Sequence, residues 1–321
     1  MKSVSVVIPS FNSIRTIENC LKSIRDQDYD QNIVQILIAD GGSTDGTVSV
    51  IKKYKGILIK ESSGNPETAK ATALKKARGE LVLLMATDNV LPNTDWLKTM
   101  VGCLIKEPKA VAAYPWKYAH RKTDSSLNRY FALMGVNDPV AWWLNKADRQ
   151  GYRSNHWHLS GDVLDKGQYF LVKFNKDNTP TLGDNGVLVW RDKLLKAQID
   201  EKHFSHIDVF YDLVNQGLDS FVVVKNEIVH DTGEKFVKFL IKRFKYMRNL
   251  YFKQQTIRRY KWVETWQEKV SIALYILYGL TLIGPLITAL RGYRSKPDIA
   301  WFWHPVVCLS MLFVYTLSMI L

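Results

Sequence analysis

The chain has 321 residues, 46% of them hydrophobic, and a net charge of +13. That length and apolar content allow one large domain or two ordinary ones, each with a sizeable core. Cys20, Cys103 and Cys308 lie far apart in sequence, which argues against a disulfide framework or a thiolate zinc site and suits a reducing cytosol.

Ser3–Ile8 reads as a first strand, Pro9–Ser13 as a loop, and Thr16–Arg25 as a helix with Ile17, Leu21 and Ile24 on one face. A second apolar run, Val34–Ala39, stops abruptly at Asp40-Gly41-Gly42-Ser43-Thr44-Asp45-Gly46-Thr47. Such a run reads as a buried parallel strand, and Asp40 then sits at its carboxyl end, where open α/β sheets bind ligands. The glycines let the backbone turn, while Ser43, Thr44 or Asp45 can cap a helix starting near Thr47 and running through Val48, Ile51 and Tyr54. Taken alone, the motif is also compatible with an ordinary glycine-rich turn. Ile57–Ile59 is a third strand, Glu67–Ala77 a helix that stops at Gly79, and Leu81–Met85 a further strand. Strands alternating with helices predict an α/β domain with a mostly parallel, Rossmann-like sheet that gathers its ligands at the carboxyl edge.

The middle third, Tyr114–Phe174, is rich in Trp, Tyr, Asn and His and has little periodicity. Trp142 and Trp143, set beside polar groups, suit contact with an acceptor or sugar, with local packing as the alternative. His156 and His158 have strand-like spacing but no carboxylate or cysteine at metal-site spacing, so zinc is not expected there.

From Asp231 to Lys269 there are eleven Lys or Arg against four Asp or Glu. Lys235–Arg248 interleaves these cations with apolar residues at helical spacing, the pattern of an amphipathic helix on an anionic membrane surface rather than of a nucleic-acid binder. Val270–Leu290 and Ile299–Leu321 contain no charged residue. At about 1.5 Å per residue each run reaches roughly 30 Å, the thickness of a bilayer's hydrocarbon core, which predicts two C-terminal membrane helices. A buried pair of core helices is the competing interpretation. If the first run crosses fully, Arg291, Arg294 and Lys296 in the connecting loop lie on the disfavoured side, and a break at Gly284-Pro285 leaves a re-entrant hairpin as the alternative. The expected organisation is a domain over 1–230, basic interface helices over 231–269 and a membrane hairpin over 270–321. The N-terminus carries no signal-peptide pattern, so the polar domain is expected on the cytosolic face of the cell membrane.

Met85-Ala86-Thr87-Asp88-Asn89 follows an apolar strand, which brings Asp88 to the same sheet edge as Asp40. A carboxylate and a neighbouring amide there, Asp88 and Asn89, could hold Mg2+ or Mn2+ while the open positions of the metal take diphosphate oxygens. Val6-Val7-Ile8-Pro9-Ser10-Phe11-Asn12, then Asp40 to Thr47, then Ala77-Arg78-Gly79-Glu80 and Asp88-Asn89-Val90-Leu91-Pro92 together resemble the family 2 glycosyltransferases. The resemblance implies a GT-A fold, a UDP- or GDP-sugar donor, a divalent metal (Mn2+ or Mg2+) and inversion at the anomeric carbon. It places Pro9 and Ser10 at the nucleoside, Asp40 on base or ribose, and Asp88 on the metal. It also assigns Asp184 and Asn185 to the sugar or acceptor and His230 to the diphosphate. Lys70 stands where the family often has Arg at the donor, and Ala86 replaces the first Asp of the metal motif. Arg243 could neutralise the diphosphate, or could contact the membrane on the basic stripe.

Inverting transfer to a hydroxyl needs a base opposite the leaving group. Phe204–Leu213 resembles the segment that supplies it, with Asp208 as the expected base, Asp212 behind it, and a simple helix cap as the alternative role of Asp208. The predicted activity is transfer of a sugar to a membrane-embedded, lipid-linked acceptor hydroxyl. A polyprenyl-phosphate glycosyl synthase and a catalytically silent nucleotide-binding membrane scaffold are the alternatives.

Overall fold

The structure, a computed structural model, describes residues 1–233 and 235–321. They form two compact units: Met1–Ala119 with Gly161–Asp231, and His120–Ser160 with Thr232–Leu321.

In chain order the elements begin with β1 (Val4–Ser10), α1 (Ile14–Arg25), β2 (Val34–Asp40), α2 (Thr47–Lys53), β3 (Ile57–Lys60) and α3 (Pro66–Leu74). There follow β4 (Leu81–Leu84), β5 (Asn89–Val90), α4 (Trp96–Ile105), β6 (Ala112–Tyr118), α5 (Ser126–Met134) and α6 (Pro139–Trp143). Then come β7 (Asp162–Asp165), β8 (Tyr169–Lys173), β9 (Val187–Trp190), α7 (Arg191–Leu194), α8 (His206–Asn215) and β10 (Ser220–His230). The last helices are α9 (Phe236–Tyr246), α10 (Trp266–Thr281), α11 (Ile283–Ser295) and α12 (Trp303–Ile320).

All ten strands belong to the first unit and form one sheet in the order β3-β2-β1-β4-β9-β6-β10-β8-β7, with β5 paired to β10. The sheet is mixed rather than mostly parallel. β1, β2, β3 and β4 pair in parallel, as do β6 and β10, but β9 runs antiparallel between β4 and β6 and the β7–β8 hairpin adds an antiparallel edge. The reversal of β9 has a functional consequence. It brings the residues just before β9 to the edge where β1, β2 and β4 end, with Val187 opposite Leu84. β10 runs parallel to β6, so its end at His230 reaches the same edge.

Local chemistry explains the boundaries. Asn65 accepts the Glu67 amide at 2.9 Å and Pro66 opens α3, a capped start that precedes the expected first residue by one position. Gly79 is required by close packing, since a Cβ there would lie 2.6 Å from the amide nitrogen of Ser5 on β1.

In the second unit, α9 buries Phe239 and leaves Val237 and Ile241 exposed beside its lysines. The apolar run over 270–290 falls in two helices, α10 and α11, bent by 82°, the break that Gly284-Pro285 foreshadows. The break falls at Leu282, whose φ is +58°. Pro285 explains it: the ring offers no N–H to the carbonyl of Thr281 and clashes with it. Tyr278 on α10 donates to the Thr288 hydroxyl on α11 at 2.8 Å, tying the two halves together. Among the described residues one unbent helical run, Ile299–Ile320, is long and apolar enough to cross a membrane.

Candidate active site

The first unit's sheet edge is built from two loops zipped together. Asp40, at the end of β2, accepts the Gly42 and Ser43 amides at 3.1 and 2.8 Å and the Ser43 hydroxyl at 2.6 Å. Ser43 Oγ in turn accepts the Asn12 amide at 2.8 Å, and Asn12 Oδ1 accepts the Thr44 amide at 3.0 Å. Asp45 accepts the Thr47 amide at 3.1 Å, capping α2, and the Ile14 amide at 3.1 Å, fixing the start of α1. The glycine-rich motif is therefore a self-bonded scaffold that holds Pro9–Ser13. Ser10, opposite Asp40 in register, has a buried hydroxyl with no protein hydrogen-bond partner among the described residues.

Beside this scaffold, Asp88 and His230 meet, with Oδ2 and Nε2 3.5 Å apart. The β5–β10 pairing that sets His230 opposite Asn89 imposes this approach, and the Asp231 amide donates to the Asp88 carbonyl at 2.8 Å. A ring of contacts closes around the pair. Buried Asn89 accepts the Ala86 amide at 2.9 Å and donates to Asn185 Oδ1 at 3.1 Å. Asn185 donates to the Tyr118 hydroxyl at 3.2 Å, and the Tyr118 ring lies 5.1 Å from that of His230. Two donors bound to one octahedral divalent ion at about 2.1 Å would sit about 3 Å apart, so the 3.5 Å spacing of Asp88 and His230 is one at which the two could hold such an ion together. Among the described residues no His, Cys, Asp or Glu cluster of three or more supplies a complete protein cage.

Further along the same edge lies a buried charge cluster. Lys70 donates to Asp184 Oδ2 at 2.6 Å and to Glu67 Oε1 at 3.2 Å. Glu67 also accepts the His206 amide at 2.8 Å and lies 2.8 Å from His206 Nδ1. The loop bearing Asp184 is pressed onto α8, because a Cβ at Gly183, whose φ is +135°, would meet the His206 carbonyl oxygen at 2.6 Å. Burial alone would raise the Glu67 carboxyl, but the charges of His206 and Lys70 hold it well below the usual range. Burial likewise opposes the Lys70 ammonium, yet Asp184 and Glu67 keep it above its usual value.

Lys70→Met leaves two buried carboxylates without their cation and is expected to cost about 3–5 kcal/mol, read as a lower melting temperature of the full chain in detergent. A wild-type melting temperature would contradict the pairing. The sign with pH follows from linkage. Glu67, depressed when folded, stabilises fully above its ordinary value of 4.5 and loses that contribution as pH falls below it. Lys70, raised when folded, stabilises fully below 10.5 and loses that contribution as pH rises beyond it. Melting temperature against pH should therefore show the wild type losing stability at both extremes, with Lys70→Met losing less at the alkaline one.

Asp208 occupies the first turn of α8 and is 1% exposed. Trp142, Trp143 and Arg243 belong to the second unit. There Trp142 packs edge-on against His304, Trp143 lies 4.7 Å from the Tyr278 ring and donates to the Ser271 carbonyl at 2.8 Å, and Arg243 pairs with Asp138. Glu67, His206 and Tyr118 are network members that sequence reading did not single out, and Asn89, expected as an amide beside the metal carboxylate, instead bonds to Ala86 and Asn185. The Glu67/Lys70 spacing on one helix face was the available signal for one of them.

A sequence model of the family described as "Glycosyl transferase family 2" matches residues 5–169. The poly(ribitol-phosphate) beta-N-acetylglucosaminyltransferase TarS of Staphylococcus aureus is 33% identical over 104 residues, which is 30% of this chain and 18% of TarS. The GalNAc(5)-diNAcBac-PP-undecaprenol beta-1,3-glucosyltransferase of Campylobacter jejuni is 31% identical over 98 residues, which is 28% of this chain and 31% of that protein. The chain thus spans less than a third of the length of either relative. Among solved structures, the mannosyltransferase PcManGT from Pyrobaculum calidifontis, in complex with GDP-Man and Mn2+, superposes with a TM-score of 0.54 at 15% identity. That superposition covers 98% of this chain and 87% of PcManGT, a likeness of fold.

Proposed function

The chain belongs to glycosyl transferase family 2, and we propose that it is an inverting transferase that moves a sugar from a UDP- or GDP-sugar to the hydroxyl of a lipid-linked acceptor. The observation that carries this reading is the Asp88–His230 pair, 3.5 Å apart, on the sheet edge that also bears Ser10 and Asp40. Pro9 and Ser10 line the nucleoside pocket. Asp40 shapes that pocket through the loop it organises and offers its carboxylate edge to base or ribose. Asp88 and His230 would hold Mn2+ or Mg2+, which supplies positive charge against the diphosphate.

The acceptor oxygen forms its bond to the anomeric carbon as the bond to the diphosphate oxygen breaks, and the acceptor proton passes to Asp208. Asp184 and Asn185, fixed by Lys70 and Asn89, stand where a sugar hydroxyl could be read. The lipid-linked acceptor is supported by the activity for which the Campylobacter relative is named and by the apolar Ile299–Ile320 helix. The second unit then serves as membrane attachment, with the first unit on the cytosolic face and the basic α9 on anionic headgroups.

The test uses the full chain in detergent with radiolabelled UDP- and GDP-sugars, Mn2+ or Mg2+, and membrane lipid extract. Label is expected in an organic-phase product together with released nucleoside diphosphate. Nucleotide binding with neither donor hydrolysis nor lipid product, across the panel, would instead support the silent scaffold motivated by Ala86.

A further inference from the structure

The second unit carries arginines that its own acids do not answer. On α6, Trp142 lies 5.4 Å, edge-on, from the His304 ring, and the Arg153 guanidinium lies 5.4 Å from the Trp142 ring centroid. His304 accepts or donates at both ring nitrogens, to Tyr130 and Tyr278, each at 2.9 Å. Tyr278 also reaches Thr288 on α11, and Arg291, three residues further on, shares that helix face. The end of α11 and the loop after it therefore run beside the Tyr152–Arg153 segment. Lys296 confirms the alignment, with its ammonium 3.8 Å from the Tyr152 ring centroid. Arg153 and Arg291 are both exposed to solvent, and the Arg153 guanidinium is set below its ordinary value by partial desolvation against this segment and by the like charge of Arg291, opposed by Tyr278.

The acid nearest in sequence is already committed. Asp298 accepts from Arg129 at 2.9 and 3.2 Å and lies 2.8 Å from His120 Nε2. Among the described residues neither Arg153 nor Arg291 has an ion-pair partner. Trp142, Tyr278 and Lys296 thus set Arg153 and Arg291 on neighbouring segments, where an anion between two like charges is favoured, and the planar fork of Arg suits phosphate oxygens in a bidentate contact. The same bent hairpin exposes Leu274, Leu277, Leu280 and Ile283, an apolar face continuous in sequence with the arginine site.

We propose that Arg153 and Arg291 form a binding site for the phosphate or diphosphate group of a lipid, whose hydrocarbon chain lies along the exposed face of the α10–α11 hairpin. Under the transferase reading, on which this assignment rests, the site grips the carrier end of the acceptor. Trp142 closes one side as an aromatic wall, and Lys296 adds charge at the rim.

The test measures binding to the full chain in detergent, by calorimetry and by quenching of tryptophan fluorescence. The probes are geranylgeranyl diphosphate, geranylgeraniol and inorganic diphosphate. Geranylgeranyl diphosphate should bind tightest, and Arg153→Gln and Arg291→Gln should each weaken it by about 10- to 100-fold, the range for losing a charged hydrogen bond. Arg153→Lys and Arg291→Lys, which keep the charge but not the fork, should lose less. Lys109→Gln, at an exposed lysine of the first unit, should leave binding unchanged. Wild-type affinity in both Gln variants would overturn the site. Equal binding of inorganic diphosphate would reassign it to a free anion, and an equal loss in Lys109→Gln would reduce it to general surface charge. Melting temperatures establish that each variant is folded; if a Gln variant is not, its Lys counterpart at wild-type affinity for the lipid diphosphate, with the fork lost, overturns the site in its place. Donor turnover by the first unit is followed in the same samples, so loss of lipid binding with turnover intact, or the reverse, separates this site from the transferase reading.

Discussion

Asp208→Asn is expected to lower transfer to a hydroxyl acceptor by about 10²–10⁴-fold, the usual contribution of a positioned general base, while nucleotide-sugar binding persists. Asn keeps the shape of the side chain and can still hydrogen-bond, but it cannot take a proton. The competing role for a carboxylate in the first turn of α8 is to favour the helix dipole, and losing that would cost about 0.3–1 kcal/mol of stability with no selective effect on turnover. A thermal melt and a kinetic assay on the same preparation therefore separate the two roles. Retained transfer to polyprenyl phosphate in Asp208→Asn would support the synthase alternative, because an ionised phosphate acceptor needs no base. Unchanged transfer to a hydroxyl acceptor would remove Asp208 from the mechanism.

Asp88→Asn is expected to reduce donor turnover by about a thousandfold or more, the scale of several kcal/mol of charge stabilisation on the leaving diphosphate. The expectation is strong here because Ala86 leaves Asp88 as the acid closest to His230 on this edge. His230→Ala should fall in the same direction. Both losses should appear in Mn2+ affinity, measured by electron paramagnetic resonance with UDP or GDP present, as well as in rate. Asn185→Ala should reduce Mn2+ affinity less, since Asn185 reaches the pair through Asn89 and Tyr118. Wild-type Mn2+ affinity in Asp88→Asn would place the metal elsewhere.

The strand-and-helix alternation of the first hundred residues was legible because each apolar run ends at a polar or glycine-rich loop, and β1, α1, β2, α2 and β3 follow that pattern. The direction of β9 was not legible. Val187–Trp190 is a four-residue apolar run, and only its pairing with Leu81–Leu84 sets it antiparallel. Asp40 was found by position, yet its three bonds to its own loop are a feature of backbone geometry that residue type does not announce. The Glu67–His206 contact joins residues 139 apart, and neither neighbourhood carries a mark of the other. Pro285 did announce the broken helix, because its effect is local and steric.

The central claim is that the sheet edge bearing Ser10, Asp40, Asp88 and His230 binds and activates a nucleotide sugar. Its most direct test is release of nucleoside diphosphate from UDP- and GDP-sugars by the full chain with Mn2+, run beside Asp88→Asn. Time-dependent release by the wild type, abolished in the variant, is the predicted result. Release that continues undiminished in Asp88→Asn, or no release from any donor despite confirmed nucleotide binding, would contradict it.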